Sequence, residues 1–381
     1  MSLATEAAAP AETLAAVRAP FEAFGGVRIE PPVLQPLSLL LDLAGETMRA
    51  RLLVVQAEGA DDMALRPDFT IPAALAHLAT GDAAGRYRYE GRAFVVPQGS
   101  GRPAEFLQVG AELFGPAADP AAEDAGMAAL AWAASRAGGR GDLSMVLGDV
   151  SLFRGFLQAL GVPEAAGARL VRAFADGRPL QAELARAQGP RPGLSPGSGR
   201  LARLLTDLPE AEAAAVLEEL WRLAGIQPVG GRSAAEITHR LAARAESARS
   251  PGLSAAEAEL IGRYLAISAP PRAALDAVER LAYEAKVEFD VQLQPWVRRL
   301  KALVSAGVPE DALTLSTGFA RPFGYYDGML FEVRSAALGP DRPVAAGGRY
   351  DGLLARLGGP EAGGAVGCMV RPARAWSGAL A

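Results

Sequence analysis

Four short stretches of this sequence bring together side chains able to do chemistry. Leu65-Arg66-Pro67-Asp68-Phe69-Thr70 puts a guanidinium, a carboxylate and a hydroxyl into one turn, and Asp68 and Thr70 make an acceptor-rich corner that can receive an ammonium group. Taken alone, such a stretch is more often a Pro-Asp turn with a capping threonine. In Glu105–Phe114, Gln108, Gly110 and Glu112 share one face, because strand side chains alternate with period two. A glycine between two polar residues would let a ligand approach the backbone. A solvated polar face is the plainer alternative, but the flanking Phe106, Val109, Leu113 and Phe114 read as a buried sheet, where a carboxylate is costly without a partner. The third stretch, Arg321 to Gly328, carries an arginine and the pair Tyr325-Tyr326 at the mouth of a strand. Those groups suit a ligand carboxylate and an aromatic or imidazole ring, or simply an aromatic turn packed on the core. The fourth, Gly347-Gly348-Arg349-Tyr350-Asp351-Gly352, is a glycine turn into a short helix. It lacks the Gly-Lys pair of a phosphate-binding P-loop.

Composition narrows what this chemistry can serve. With 381 residues, half of them hydrophobic, the chain can bury one large core or two ordinary ones. A net charge of −5 argues against a protein whose task is to grip nucleic acid. The one cysteine, Cys368, excludes an intrachain disulfide and a cysteine zinc cluster. His77 and His239 have no metal-ligand spacing and read as structural or solvated, so no metal and no cofactor is expected. No run approaches the roughly 18 apolar residues that span a bilayer, and Met1–Ala16 lacks the pattern of a secretory signal. The expectation is a soluble cytoplasmic protein.

These stretches need elements to position them. A helix is expected at Ala11–Phe24, stopped by Gly25-Gly26, followed by strands at Val27–Glu30, Arg51–Gln56, Arg92–Val96 and Glu105–Phe114. The last two strands form a long-looped hairpin. A helix at Pro120–Arg136 and a strand at Leu143–Leu147 complete this block. From Leu152 to Ala285 apolar residues recur at helical spacing, in Ala168–Ala175, Leu201–Leu223, Ala234–Ala245 and Ala255–Ala266, broken by the loop-like Gly189–Gly199. After a helix at Gln294–Ala306, strands return at Ala312–Gly318, Met329–Arg334, Val344–Ala346 and Ala365–Val370, with a helix at Asp351–Leu357. The expected fold is α+β, with core segments 1–151 and 286–381 interrupted by a helical insertion over 152–285.

In order along the chain, these segments resemble a class II aminoacyl-tRNA synthetase catalytic domain of the histidyl type, whose antiparallel sheet is flanked by helices. Ile29-Glu30-Pro31-Pro32-Val33-Leu34 resembles motif 1, with Pro32 at the dimer-interface proline, and Leu65–Thr70 resembles the "LRPE-x-T" stretch with Asp68 in place of glutamate. Gly101–Gln108 followed by Glu112 resembles the end of motif 2, and Arg321–Glu332 and Gly347–Leu353 resemble the two histidine-specific motifs. The departures lie on the nucleotide side. Motif 2 of a working synthetase opens on a Phe-Arg-x-Glu-like run whose arginine holds the ATP α-phosphate; here the run is Phe94-Val95-Val96-Pro97. Loss of such a clamp costs a hundredfold or more, by order of magnitude, in rate. In Val366–Arg374, Arg371 stands at a glycine position beside the adenine site, where its bulk should obstruct a nucleotide. The anticodon-binding domain is not expected.

The remaining pattern resembles the family of ATP phosphoribosyltransferase regulatory subunits, catalytically inactive synthetase paralogs of histidine biosynthesis. That resemblance implies a short catalytic phosphoribosyltransferase subunit as partner in a hetero-octamer, a self-dimer through motif 1, histidine as feedback effector, and no tRNA. It places Asp68, Thr70, Gln108 and Glu112 on the histidine ammonium, Arg321 on its carboxylate, and Tyr325, Tyr326 and Tyr350 around the ring, with Gly324 departing from a family aspartate. Two rivals are a divergent synthetase-like enzyme that makes an aminoacyl adenylate for a non-tRNA acceptor, and a structural protein with a relic pocket.

Overall fold

The computed structural model describes residues 4–44, 46–56, 61–97, 102–188, 204, 208–224, 234, 238, 252–321, 323–360 and 363–378. The stretch Gly189–Gly199, the start of the helix expected at Leu201, most of Ala234–Ala245, and His239 lie outside them. Two compact units emerge: Met1–Phe156 with Phe174–Arg178 and Arg263–Ala381, and Leu157–Ala173 with Pro179–Gly262.

The first unit begins with helix α1 (Ala11–Phe24), strands β1 (Val27–Arg28) and β2 (Leu34–Pro36), helix α2 (Leu37–Ala44), strands β3 (Val54–Val55) and β4 (Met63–Leu65), and helix α3 (Thr70–Thr80). The hairpin β5 (Gly85–Phe94) and β6 (Glu105–Phe114), helix α4 (Pro120–Ala137), strand β7 (Leu143–Asp149) and helix α5 (Val150–Ala159) follow. Helices α6 (Glu164–Ala175), α7 (Leu180–Gln188), α8 (Glu210–Ala224) and α9 (Ala255–Leu265) carry most of the second unit. The chain closes with β8 (Ser268–Ala269), α10 (Pro271–Glu284), α11 (Asp290–Ser305), β9 (Leu313–Ser316), β10 (Met329–Ser335), β11 (Ala345–Arg349), α12 (Gly352–Arg356), β12 (Ala365–Val370) and α13 (Pro372–Ala375).

Nine strands form one sheet in the order β1-β5-β6-β12-β11-β10-β7-β9-β8, and β2-β4-β3 form a small second sheet. Among the described strands of the large sheet, β1 with β5 and β7 with β9 run parallel and the rest pair antiparallel. The central strands β12 and β11 read as small apolar residues with glycine, and these two and β10 are buried along almost their whole length, as in strands covered on both faces. Helix α4 covers them. Its start is fixed by Asp119, whose carboxylate accepts from the amides of Ala121 and Ala122, and by Pro120 in the first turn. Its buried face is largely alanine (Ala121, Ala125, Ala128, Ala131, Ala134), so the helix can lie close to β10–β12, with α1 and α11 packed against it.

One carboxylate ties these layers together. Asp124 of α4 is fully buried and accepts from Arg299 Nε of α11 at 2.8 Å and from Arg349 Nε at the end of β11 at 2.6 Å. Burial works against the Arg349 charge, but Asp124, Asp351 and Glu123 outweigh it and raise the guanidinium pKa. Asp149, at the β7–α5 junction, extends the network. It accepts from Trp296 Nε1 at 2.9 Å and through its other oxygen caps α5 at the Ser151 and Leu152 amides.

In the second unit, Ser254 and Glu257 form a reciprocal capping box at the start of α9, Ser254 N to Glu257 at 2.7 Å and Glu257 N to Ser254 Oγ at 3.1 Å. Ala213 and Leu217 of α8 and Ala234 form a small core flanked by Trp221.

Several elements differ from the sequence reading in extent. The strand expected at Arg92–Val96 begins at Gly85, because Arg86-Tyr87-Arg88-Tyr89-Glu90 already alternates charge with aromatic and buries Tyr87 and Tyr89. The strand expected over Arg51–Gln56 shrinks to Val54–Val55, preceded by a 3-10 turn over Glu46–Arg51. The turn at Leu65–Thr70 launches helix α3, which the two flanking prolines, Pro67 and Pro72, obscure in the sequence. Pro72 sits in the first helical turn, where its missing N–H costs nothing.

Asp124→Ala leaves two buried guanidiniums without their shared acceptor. The expected loss is about 3–5 kcal/mol in urea unfolding, against under about 1 kcal/mol for Glu123→Ala at the rim of the same network. Equal losses for the two variants would contradict the hub role of Asp124.

Candidate functional site

A pocket lies on the face of the large sheet where β5, β6, β11 and β12 meet the turn before β10. It is lined by Asp68, Thr70, Tyr89, Gln108, Glu112, Arg321, Phe323, Tyr325 and Tyr326, with Gly347, Gly367 and Met369 beneath. Seven of the eight residues expected from the sequence line it, and the eighth, Tyr350, donates its hydroxyl to Glu112 from below.

Local folding puts each group there. Asp68 accepts the Thr70 amide at 3.1 Å, an Asx turn that starts α3 and aims the Thr70 hydroxyl at Glu112 Oε1, also 3.1 Å away. Arg66, next to Asp68, is occupied with structure. It donates to the carbonyls of Arg92 and Pro31 at 2.9 and 2.5 Å and lies over the Phe69 ring, which itself stacks on Tyr89 at 4.3 Å. Gln108 and Glu112 point to one face of β6. Gly110 between them does not open the backbone to a ligand, contrary to the sequence expectation; a Cβ there would strike the Tyr89 ring and hydroxyl and the Cys368 carbonyl. On β12, Gly367 leaves the room in which the Glu112 carboxylate and Tyr350 hydroxyl sit.

The pocket has two electrically distinct ends. At one end are two buried carboxylates bridged by Thr70. Burial pushes Glu112 up to about 8, against hydrogen bonds from Tyr350, Thr70 and Tyr89 that favour its charge. Burial also raises Asp68, opposed by the Tyr325 hydroxyl that donates to it at 3.1 Å. Beside them Gln108, 2% exposed, holds a side-chain carbonyl oxygen with no donor among the described residues. At the other end stands Arg321, whose Nε is 3.3 Å from Glu332, an ion pair without hydrogen-bond alignment. Burial opposes the Arg321 charge, but Tyr326, Glu332, Tyr325 and Asp68 outweigh it and raise its pKa. Tyr325, Tyr326 and Tyr350 stand mutually 4.8–6.1 Å apart between the ends. The lining offers acceptors to a cation and N–H donors at one end and a guanidinium to an anion at the other, but the open space is only about 30 Å³, so a planar ligand enters only if the tyrosines give way.

Sequence reasoning missed Tyr89, Phe323 and Glu332. The signal for Tyr89 was the alternating run before Arg92; Glu332 is visible only as the partner that Arg321 requires when buried. Among the described residues no cluster of histidine, cysteine and carboxylate side chains could hold a metal. His77 is structural, stacked on Phe114 at 4.9 Å and hydrogen-bonded to the Tyr87 hydroxyl.

Next to this pocket, and sharing Gln108, Arg321, Phe323 and Met369 with it, is a larger cavity of about 620 Å³. Val95, Pro97, Arg371 and Arg374 line it. Val95, Pro97 and Arg371, which the sequence resemblance expects to depart from the synthetase pattern, therefore gather in one cavity, outside the lining that holds Asp68 and Glu112. Arg371 lies over the Phe106 ring, 3.6 Å from its centroid, and fills space that a glycine would leave open.

Proteins similar to this chain include two related kinds. A family model for histidyl-tRNA synthetase matches residues 2–248 and 213–373. ATP phosphoribosyltransferase regulatory subunits of Brucella anthropi and Brucella canis are each 36% identical to this chain, over 335 and 336 residues, covering 87% and 88% of it and 88% of each relative. The chain belongs to the family of ATP phosphoribosyltransferase regulatory subunits. Solved structures agree on the fold. A protein from Bacillus halodurans, described as an ATP phosphoribosyltransferase regulatory subunit/histidyl-tRNA synthetase, superposes with TM-score 0.61 at 21% identity, covering 97% of this chain and 78% of that one. A histidine–tRNA ligase subunit from Alicyclobacillus acidocaldarius gives 0.55 at 23% identity, covering 99% and 96%. The chain thus shares the histidyl-tRNA synthetase-like fold of these proteins.

The raised Glu112 pKa has a definite sign for stability. Because the folded value, about 8, exceeds the ordinary 4.5, the stability that protonated Glu112 contributes is fully present below 4.5 and is lost as pH rises toward 8. Relative to Glu112→Gln, which cannot ionise, the regulatory subunit should lose roughly 1 kcal/mol per pH unit between pH 5 and 8. Urea denaturation of both proteins across that range measures it; parallel pH profiles would refute the burial argument.

Proposed function

We propose that this chain regulates a short catalytic ATP phosphoribosyltransferase subunit, activating it and conveying inhibition by histidine, the end product of the pathway. The observation that carries the histidine assignment is the pairing of opposite ends in one pocket. Glu112, Asp68 and the unpartnered carbonyl of Gln108 form an acceptor end, and Arg321 supplies a cationic end. A free α-amino acid presents that pattern of ammonium and carboxylate. The tyrosines between the ends suit an imidazole, whose N–H can reach a phenolic oxygen. Asp68, Thr70, Gln108 and Glu112 take the ammonium, Arg321 the carboxylate, and Tyr325, Tyr326 and Tyr350 surround the ring. The ammonium must compete with the Tyr325 hydroxyl for Asp68, so ligand entry and the position of the turn before β10 are coupled. Regulation follows if that turn has two positions that the catalytic partner distinguishes.

The assembly that fits this role is a hetero-octamer of the two kinds of subunit, with the chain also pairing with itself through the segment around Pro32. Val27, Val33, Leu34, Val54 and Val55 are exposed apolar side chains near that segment. The helical segment within residues 152–285, which includes the unit Leu157–Gly262 without its Phe174–Arg178 stretch, is an insertion into the synthetase-like core. The site of action is the cytoplasm; no helix among the described residues is long and apolar enough to cross a membrane. A tRNA plays no part in this reading, and neither does a cofactor.

The decisive experiment is reconstitution with a short catalytic subunit and assay of phosphoribosyl transfer with and without histidine. Activation by this chain and inhibition by histidine are expected, with inhibition lost in Glu112→Gln and in Arg321→Ala. Activity indifferent to the chain would overturn the regulatory reading. A synthetase-like enzyme would instead show histidine-dependent ATP–pyrophosphate exchange, which Val95 and Pro97 disfavour.

Binding of an ammonium beside Glu112 also has a proton signature. A carboxyl with pKa about 8 is mostly protonated at pH 7 and must ionise to pair with a cation. Calorimetry of histidine binding at pH 7, in buffers of different ionisation enthalpy and corrected for the imidazole, should report release of close to one proton, falling toward zero at pH 9. No proton release at pH 7 would remove Glu112 from the ammonium site.

A further inference from the structure

Among the described residues the larger cavity is lined by six arginines, Arg51, Arg102, Arg321, Arg334, Arg371 and Arg374, against two acidic residues, Glu332 and Asp341. Arg321 and Arg334 share Glu332, at 3.3 and 2.8 Å, and Arg102 reaches Asp341 at 3.3 Å on the exposed rim. Arg51 lies over the Phe323 ring, and its Nε has no acceptor among the described residues. Such a wall is a site for a multiply charged oxyanion unless its charge is met from within.

For the two most deeply buried nucleotide-side arginines it is met by Glu6. Its carboxylate accepts from Arg371 Nε and Nη2 at 3.0 and 2.7 Å and from Arg374 Nε at 3.1 Å, and all three side chains are about nine-tenths buried. Glu6 arrives on a short extended segment held to the start of β6. The Ala104 amide donates to Ala4 O at 2.7 Å, the Glu6 amide donates to Glu105 O at 2.8 Å, and the Thr5 hydroxyl donates to the Glu105 carboxylate. A bidentate carboxylate on one arginine, shared with a second, reproduces the contacts an external phosphate would make. Without that carboxylate, two adjacent buried guanidiniums would repel each other and lack a counter-charge.

We propose that Glu6 is an internal counter-anion that competes with external phosphate-type anions for Arg371 and Arg374. While Glu6 is seated the cavity binds such anions weakly; when it is withdrawn, the cavity becomes an oxyanion site, and the Ala4–Glu6 segment is released from β6. The position of this segment is therefore linked to the occupancy of the cavity, independently of whether the neighbouring pocket takes histidine.

Inorganic tripolyphosphate is a suitable probe, with affinity measured by calorimetry on the full chain and on Glu6→Gln. The variant should bind at least about tenfold more tightly, and its melting temperature, lowered by the lost ion pairs, should recover as tripolyphosphate is added. Adding Arg371→Ala to the Glu6→Gln protein should abolish the gain. Equal affinity of the unmodified and Glu6→Gln proteins, or a gain that survives Arg371→Ala, would overturn the proposal. Should Glu6→Gln fail to fold, amide exchange in the unmodified chain decides. Millimolar tripolyphosphate is expected to speed exchange at the Glu6 amide, which is bonded to Glu105 O, and unchanged exchange there would count against competition.

Discussion

The bridge from Asp124 to Arg299 and Arg349 is the interaction on which the rest of the first unit rests. A carboxylate with no exposure to water is tolerable only between charges that it satisfies, so its two partners cannot move independently. Arg349 ends β11, and the next residue, Tyr350, puts its hydroxyl on Glu112. Arg299 belongs to α11, whose Trp296 reaches Asp149 at the root of α5. The helical layer, the sheet and the floor of the pocket are therefore fixed by one set of ion pairs.

Above that floor the pocket joins two kinds of order. The acceptor end is rigid, with Glu112 reached by hydroxyls from three different elements, Thr70, Tyr89 and Tyr350. The opposite wall, the turn carrying Arg321 and Tyr325, meets it through ring contacts to Tyr350 and through the Tyr325 hydroxyl on Asp68, a neutral donor on a carboxylate that burial disfavours. A ligand that competes for Asp68 acts on a polar contact where the two walls meet. This is how a binding site can report its occupancy without performing a reaction.

Much of this was legible in the sequence because the decisive residues lie in local patterns. Gln108 and Glu112 share a face by strand periodicity, and the hairpin end at Phe114 and the strand Ala365–Val370 are marked by apolar runs between glycines. Asp68 and Thr70 were visible as a turn, but not as the start of α3, since Pro67 and Pro72 mimic a longer loop. Tyr89 was hidden because the strand was read to begin seven residues late. The long-range partners had no sequence signal. Nothing local links Glu6 to Arg371 across 365 positions, or Asp124 to Arg349 across 225, and only the sheet order brings them together. Gly110 was misjudged for the same reason, since the ring that requires its missing side chain sits on the neighbouring strand.

The Glu6–Arg371–Arg374 cluster bears on how such a chain can change over generations. Glycine at position 371 would leave Glu6 buried against a single arginine, and removing Glu6 first would leave two like charges side by side. Each single change in the cluster therefore passes through a state in which a buried charge has lost a partner, although each partner is unremarkable by itself. The cluster works as a ratchet: with the carboxylate seated between the two guanidiniums, its three members are replaced together more easily than one at a time.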